Sequence, residues 1–340
     1  MTRRERVMAA LSSEPVDRVP VALWRHFHRV DRDPEAQAER TVEFQREYGL
    51  DAVKTMPNGC YSVEDWPCQI DFSEEPAEVV AKYIREPRDW HQVGPLEATR
   101  GALGRELEAT AILRGRLGPE TPITATVFSP LTTAHKLAGD RLLLHMRSEG
   151  HRVHRALGHI ARTTAQYVKA VLARGADGIF LATQLATRRA LREREYVEFG
   201  RPYDLQVLSP AQRAPFNVLH IHGRDIMFEL LADYPVSAVN WHVWETPPSP
   251  VEARRVTSLP FMGGLQYDTL HSGEADRVEA EVRAMIGATG GWGLILAPGC
   301  AIPRGYPPEN LKRAVEAARR LPRDRWGPPA HRFTRRQNSS

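Results

Sequence analysis

Three residues on two short apolar runs carry the strongest chemical signal in this chain. One run reads Asn217-Val-Leu-His-Ile-His-Gly223 and the other Leu294-Ile-Leu-Ala-Pro-Gly-Cys300. His220 and His222 are two apart, so on an extended strand both imidazoles point to one face. Pro298 and Gly299 break the second run and leave Cys300 at its carboxyl end. Two imidazoles and a thiolate suit Zn²⁺, and three protein ligands leave one position for substrate or water. An isolated His-x-His is often unremarkable, and a lone buried Cys usually acts as a small hydrophobe. Their joint placement at two strand ends favours a metal site of His220, His222 and Cys300.

Other strand ends add candidates. Val239-Asn-Trp-His-Val-Trp-Glu245 offers His242 and Glu245 as catalytic groups beside the metal and Asn240 as a substrate contact. Alternatively, Trp241 and Trp244 pack a rim with His242 as their polar neighbour. Gln184 and Gln266 end two further runs as candidate substrate donors. Arg25 and Arg29 could grip a carboxylate, because a guanidinium matches it in bidentate fashion. Lys54 and Asn58 complete the candidate substrate-binding set.

The elements that would position these residues alternate along the chain. Eight strands are expected, at Arg18–Trp24, Ala52–Met56, Ile123–Phe128, Gly178–Ala182, Asn217–Ile221, Ala238–Trp241, Phe261–Leu265 and Leu294–Ala297. Helical patterns lie between most of them, at Pro34–Tyr48, Leu142–Ala173, Glu195–Leu208, Asp225–Asp233, Pro250–Leu259 and Glu274–Ala288. Pro307–Arg320 forms a last one. Strands alternating with helices imply a parallel sheet, and eight units fit a closed (β/α)8 TIM-type barrel, with catalytic groups at the carboxyl ends of the strands. One barrel domain is expected over residues 1–325. Residues 61–122 read as irregular, an insertion over the barrel end after the second strand, and 326–340 as a mobile tail. An open six-stranded sheet is the competing topology.

Composition bounds the function. The 340 residues carry a net charge of +4 and are 42% hydrophobic. Part of the positive excess sits in the tail, at Arg332, Arg335 and Arg336. No basic run is interleaved with aromatics, which argues against nucleic acid. Three cysteines, Cys60, Cys68 and Cys300, make no disulfide framework, and the charged start Met1–Arg6 has no apolar stretch behind it. A cytoplasmic protein without a membrane span is expected.

At these residues the chain resembles the uroporphyrinogen decarboxylase superfamily. The likeness is carried by Arg3-Arg-Glu-Arg-Val-Met-Ala-Ala-Leu11, Glu14-Pro-Val-Asp-Arg-Val-Pro20, Tyr48-Gly-Leu-Asp-Ala-Val-Lys54 and Pro298-Gly-Cys-Ala-Ile-Pro303. The resemblance implies the same distorted barrel, and often a homodimer. The superfamily's decarboxylases use an Arg-x-x-x-Arg pair, then an Asp, a Tyr and a His. Arg25 and Arg29 keep that Arg spacing. Val53–Asn58 has no Asp, Pro130–Leu137 has Lys136 where a Tyr is wanted, and Cys300 replaces the His. The superfamily's corrinoid-linked methyltransferases use His-x-Cys and a later Cys. His220 and Cys300 match, and His222 replaces the middle Cys. By that resemblance a Glu from the sixth-strand region can also tune zinc, which points to Glu245, with His242 as the alternative.

The leading expectation is a zinc-dependent methyltransferase acting on a small-molecule thiol. No corrinoid-binding Asp-x-His-x-x-Gly motif is present, so the donor would be a methylated corrinoid on a separate protein, or a different donor entirely. Metal-free decarboxylation gripped by Arg25 and Arg29, zinc-dependent lyase or hydrolase chemistry with a bound water of pKa near roughly 7, and a non-enzymatic tetrapyrrole binder are the alternatives.

Overall fold

The computed structural model describes residues 1–320, apart from Glu74 and Gly273. The expected tail at 326–340 lies outside the described residues. The chain opens with α1 (Arg3–Leu11) and α2 (Pro34–Tyr48), followed by β1 (Val53–Lys54). A hairpin of β2 (Gln69–Asp71) and β3 (Glu78–Ala81) and then α3 (Gly101–Leu117) lead to β4 (Ile123–Phe128). Helices α4 (Pro130–Ala138), α5 (Arg141–Ser148) and α6 (Gly150–Ala173) precede β5 (Gly178–Thr183). Then come α7 (Glu193–Phe199), α8 (Arg201–Leu208), β6 (Val218–Ile221), α9 (Phe228–Leu231), β7 (Ala238–Trp241) and α10 (Pro250–Val256). The described part closes with β8 (Phe261–Leu265), α11 (Tyr267–His271), α12 (Ala275–Thr289), β9 (Leu294–Pro298) and α13 (Pro308–Arg320).

Local signals explain the helix starts. Thr2 caps α1 with a reciprocal Glu5 contact, and Asp33 caps α2 ahead of Pro34, whose missing N–H costs nothing at that position. Ser249 and Glu252 repeat the reciprocal cap at α10, again before a proline. Residues of β4 to β9 are almost entirely buried, as strands covered on both faces must be.

Seven strands form one parallel sheet in the order β1-β4-β5-β6-β7-β8-β9. The expected first strand, Arg18–Trp24, is not a strand: only Val21 makes a bridge, parallel to Leu296. Its backbone nevertheless joins the two sheet edges. Leu296 N donates to Pro20 O (2.8 Å) and Ala22 N to Leu296 O (3.0 Å), while Asp51 N donates to Val21 O (2.8 Å). Pro20 has no N–H, and the Val21 N–H goes to the Asp51 carboxylate at 2.9 Å. With those donors removed, no ladder can grow.

The second correction concerns 61–122. That stretch is not irregular throughout, since it holds the β2/β3 hairpin and the 17-residue α3, which packs against α2. Gly101, Gly104 and Gly115 lower the intrinsic helicity of α3, and tertiary packing of Leu103, Leu107 and Leu113 overrides them. The expected long helix 142–173 divides at Glu149, where the backbone leaves helical geometry. Among the described residues no helix is long and apolar enough to cross a membrane.

Asp51 is fully buried and ties the Pro20–Ala22 segment to α1. It accepts from Arg6 Nη1 (2.8 Å), from Arg18 Nη1 and Nη2 (2.6 and 2.8 Å) and from Val21 N. Asp51→Asn would leave two guanidinium groups facing a neutral amide. A stability loss of about 3 kcal/mol is expected from urea unfolding at neutral pH; a loss under about 1 kcal/mol would mean that this link does not depend on the charge.

Glu106 on α3 gives a second test. Burial raises its carboxyl from 4.5 to about 7, opposed by Arg105 and by Gln37. The folded chain therefore holds a proton that the unfolded chain releases. That contribution is complete below about pH 4.5 and is lost as pH rises through about 7. Stability should fall across this window, and Glu106→Gln should flatten the fall; an unchanged profile in chemical denaturation would refute it.

Candidate active site

The parallel register builds the site. His220 on β6 lies beside Asn240 on β7, with Ala182 of β5 on its other side. His220 Nδ1 donates to Asn240 Oδ1 at 2.5 Å. The Asn240 amide nitrogen is committed to two carbonyls, Met262 O (2.5 Å) and Pro298 O (3.0 Å). Its oxygen must therefore be the acceptor, so the His220 proton sits on Nδ1 and Nε2 keeps a free lone pair. Phe180 stacks on the same imidazole, with ring centroids 5.3 Å apart.

His222 follows one turn of the pleat later, its N–H held by Thr183 O at 3.0 Å. Its Nδ1 lies 3.5 Å from His242 Nε2 and 3.8 Å from Cys300 Sγ. His242 Nδ1 is 3.4 Å from the Glu245 carboxylate. One ligand atom from each of His220, His222, His242 and Cys300 lies within 4.8 Å of all the others, so the four could hold a metal ion. Gly299 makes this possible. A Cβ there would sit 3.0 Å from His242 Cα and 3.1 Å from Trp241 O, tight contacts that glycine avoids where the end of β9 passes β7.

The protonation states of the donors suit metal ligation. Burial drives the His220 imidazole well below its usual range, helped by His222 and His242, and holds His222 to about 4. Both rings are therefore neutral and available as ligands. Burial raises the Cys300 thiol, while Lys54 opposes that rise.

The cluster borders a cavity of about 140 Å³ walled by Trp24, Met56, Phe128 and Phe180. Lys54 and Gln184 line it, as their strand positions suggest. Burial brings Lys54 down to about 7, with Cys300 opposing.

Other candidates are placed elsewhere. Asn240 is completely buried behind His220 and faces no cavity. Arg29 is turned out to solvent and paired with Glu75 at 2.8 Å, its left-handed backbone (φ 73°) directing it off the barrel mouth. Arg25 is held by the Tyr306 hydroxyl (2.9 Å), away from the cavity lining. Gln266 caps α11, its N–H bound to Glu281, and Asn58 accepts from Cys60 N within its own turn. Glu245 supports His242 rather than lining the cavity. Two cavity groups were not expected: His26, and Lys136 as a substrate contact. Lys136 sits on α4, a helix that sequence reading missed; a proline at its start, Pro130, was the available signal.

The uroporphyrinogen decarboxylase (URO-D) family model matches residues 2–321. Methylcobamide:CoM methyltransferase MtbA of Methanosarcina mazei is 24% identical over 337 residues, covering 94% of this chain and 98% of that protein. Methylcobamide:CoM methyltransferase MtaA of Methanosarcina barkeri is 27% identical over 342 residues, covering 93% and 97%. A solved methyltransferase from Methanosarcina mazei superposes with a TM-score of 0.81 at 23% identity, covering 94% of this chain and 98% of that one, which shows a shared fold. Uroporphyrinogen decarboxylases match as well. The chain belongs to the uroporphyrinogen decarboxylase family and lies closer to its methylcobamide methyltransferases than to its decarboxylases.

Proposed function

We propose that this protein is a zinc-dependent methyltransferase that moves a methyl group from a methylated corrinoid, brought by a separate protein, to a thiol. The observation that carries the reading is the convergence of His220, His222, His242 and Cys300, of which His220, His222 and Cys300 line the cavity. Tetrahedral zinc with ordinary bond lengths sets nitrogens about 3.4 Å apart and nitrogen and sulfur about 3.6 Å apart. The separations of 3.5 Å (His242 to His222) and 3.8 Å (Cys300 to His222) fit that geometry. The donor set, imidazole with thiolate, also suits zinc over harder cations.

Zinc bound there supplies the positive charge that keeps a thiol ionised at neutral pH. The chain does the rest. Asn240 fixes the proton on His220 Nδ1, and Glu245 faces Nδ1 of His242, leaving the opposite ring nitrogen toward the cluster. Phe128, Phe180 and Trp24 exclude water around the acceptor sulfur. In the transfer a sulfur–carbon bond forms, the cobalt–carbon bond of the donor breaks, and its electron pair stays on cobalt. The thiol proton departs to solvent when the acceptor binds. The relatives that bear the methylcobamide:CoM name, and the Cys300 that stands where decarboxylases keep a His, support this reading. The free position of the cavity away from Arg25 and Arg29 weighs against a carboxylate grip by those two arginines. We also infer that Pro20–Ala22 serves as the eighth stave of a closed, distorted (β/α)8 barrel, since it bonds to both sheet edges.

Purified protein should hold about one zinc per chain by plasma mass spectrometry, and Cys300→Ser should lose it together with methyl transfer from methylcobalamin to a thiol. Metal-free wild type with intact transfer would sink the mechanism. Removing the outer partner should matter less: Asn240→Ala is expected to weaken zinc binding by roughly 10- to 100-fold, read by chelator competition, while an unchanged affinity would deny Asn240 its orienting role. Gly299→Ala should also lower zinc occupancy in a protein that remains folded.

A further inference from the structure

Helix α6 is the longest among the described residues, and it contains no aspartate or glutamate. Composition does not account for this, because the whole chain balances 42 acidic residues against 46 lysines and arginines. The inner face of α6 is sealed to the barrel, with Val153, Leu157, Ile160 and Val168 fully buried. The outer face presents Arg155, Arg162 and Lys169, all exposed. Successive members stand seven positions apart. Seven residues fall about 20° short of two full turns and rise about 10.5 Å, so the three cations form one row roughly 21 Å long.

The row has no counter-charge of its own. Glu149 pairs with Arg152 and His151 at the start of the helix, and Glu198 pairs with His154. Among the described residues no ion pair reaches Arg155, Arg162 or Lys169. Between the first two cations, His159 Nδ1 accepts from Arg162 Nη2 at 2.7 Å. Partial desolvation holds that imidazole below its usual range, and Arg162 and Arg155 lower it further, with no carboxylate opposing. A rigid row of like charges with nothing opposite it is a surface for a polyanion.

The rest of the face selects among polyanions. A helix lying on a membrane needs an apolar flank, and the other exposed positions of α6 are only His151, Gln166 and Ala173. Duplex DNA carries one charge per about 1.7 Å of axis, far denser than this row, and single strands need exposed aromatics, of which α6 has none. The chain's own end does not supply the acid, since residues 321–340 hold five arginines and one aspartate. A second copy would offer the glutamates of α2. There Arg116 already holds Glu35, Arg40 holds Glu43 at 2.6 Å, and Arg46 stands among them. A helix with carboxylates at the same seven-residue step matches the row in both spacing and straightness.

We propose that the outer face of α6 is a docking surface for an acidic helix of a partner protein, laid along Arg155, Arg162 and Lys169. None of the three lines the cavity, so the inference does not rest on the methyl-transfer reading.

The probes are two labelled 22-residue alanine–glutamine peptides of equal composition. One carries glutamates at seven-residue steps, and the other spreads them around the helix. Exposed ion pairs are individually weak, so binding should be modest and should fade with salt. The stepped peptide should bind about tenfold or more tighter than the dispersed one in fluorescence anisotropy at low salt. The triple substitution Arg155→Gln, Arg162→Gln, Lys169→Gln should erase that preference. A control triple of exposed arginines elsewhere, Arg194→Gln, Arg213→Gln, Arg255→Gln, should keep it. Thermal unfolding verifies that both triples fold. Changing the three α6 cations to glutamate should transfer the preference to a stepped lysine peptide. Equal binding of the two acidic peptides, or an equal loss in the control triple, would overturn the proposal. So would tighter binding to phosphatidylglycerol vesicles or to a 22-base-pair duplex, each lost in the α6 triple. A dimer in sedimentation that the α6 triple dissolves would assign the face to a second copy and overturn it too.

Discussion

Every hydrogen-bonding capacity that matters on the Asn240 side chain is spent inside the sheet. From β7 it donates to a carbonyl of β8 and a carbonyl of β9 and accepts from an imidazole of β6. A fully buried amide with an unmet donor or acceptor would cost on the order of 1–3 kcal/mol, so the four strands must keep their present register for the amide to stay satisfied. The same arrangement decides which nitrogen of His220 carries the proton. Structural satisfaction and ligand orientation are thus one constraint. A one-residue slip of β6 would turn His220 to the opposite face and break both at once.

The other donors depend on that frame. His222 shares the face of His220 because of strand pleat, and Cys300 and His242 meet because Gly299 permits close passage. The assembly draws on three stretches distant in sequence: Cys300 lies 78 residues from His222. Parallel strands deliver it, since each carboxyl end arrives at the same mouth.

That explains what could be read from sequence. β4, β7 and β8 were legible to the residue, because buried parallel strands are short apolar runs bounded by breakers. The His-x-His pair and Cys300 stood out by residue type and strand-end position, and the fold brings them near one another. Three things were not. The Arg18–Trp24 run looks like a strand, but Pro20 and the Asp51 carboxylate divert its donors, and the partner of Val21 N is 30 residues away. Glycines hid α3, whose stability comes from contact with α2. Asn240 reads as a strand-end polar until its partners on β6, β8 and β9 are known. Arg25 and Arg29 misled in the opposite direction, since Arg-x-x-x-Arg spacing says nothing about a left-handed residue at position 29 that turns the second guanidinium outward.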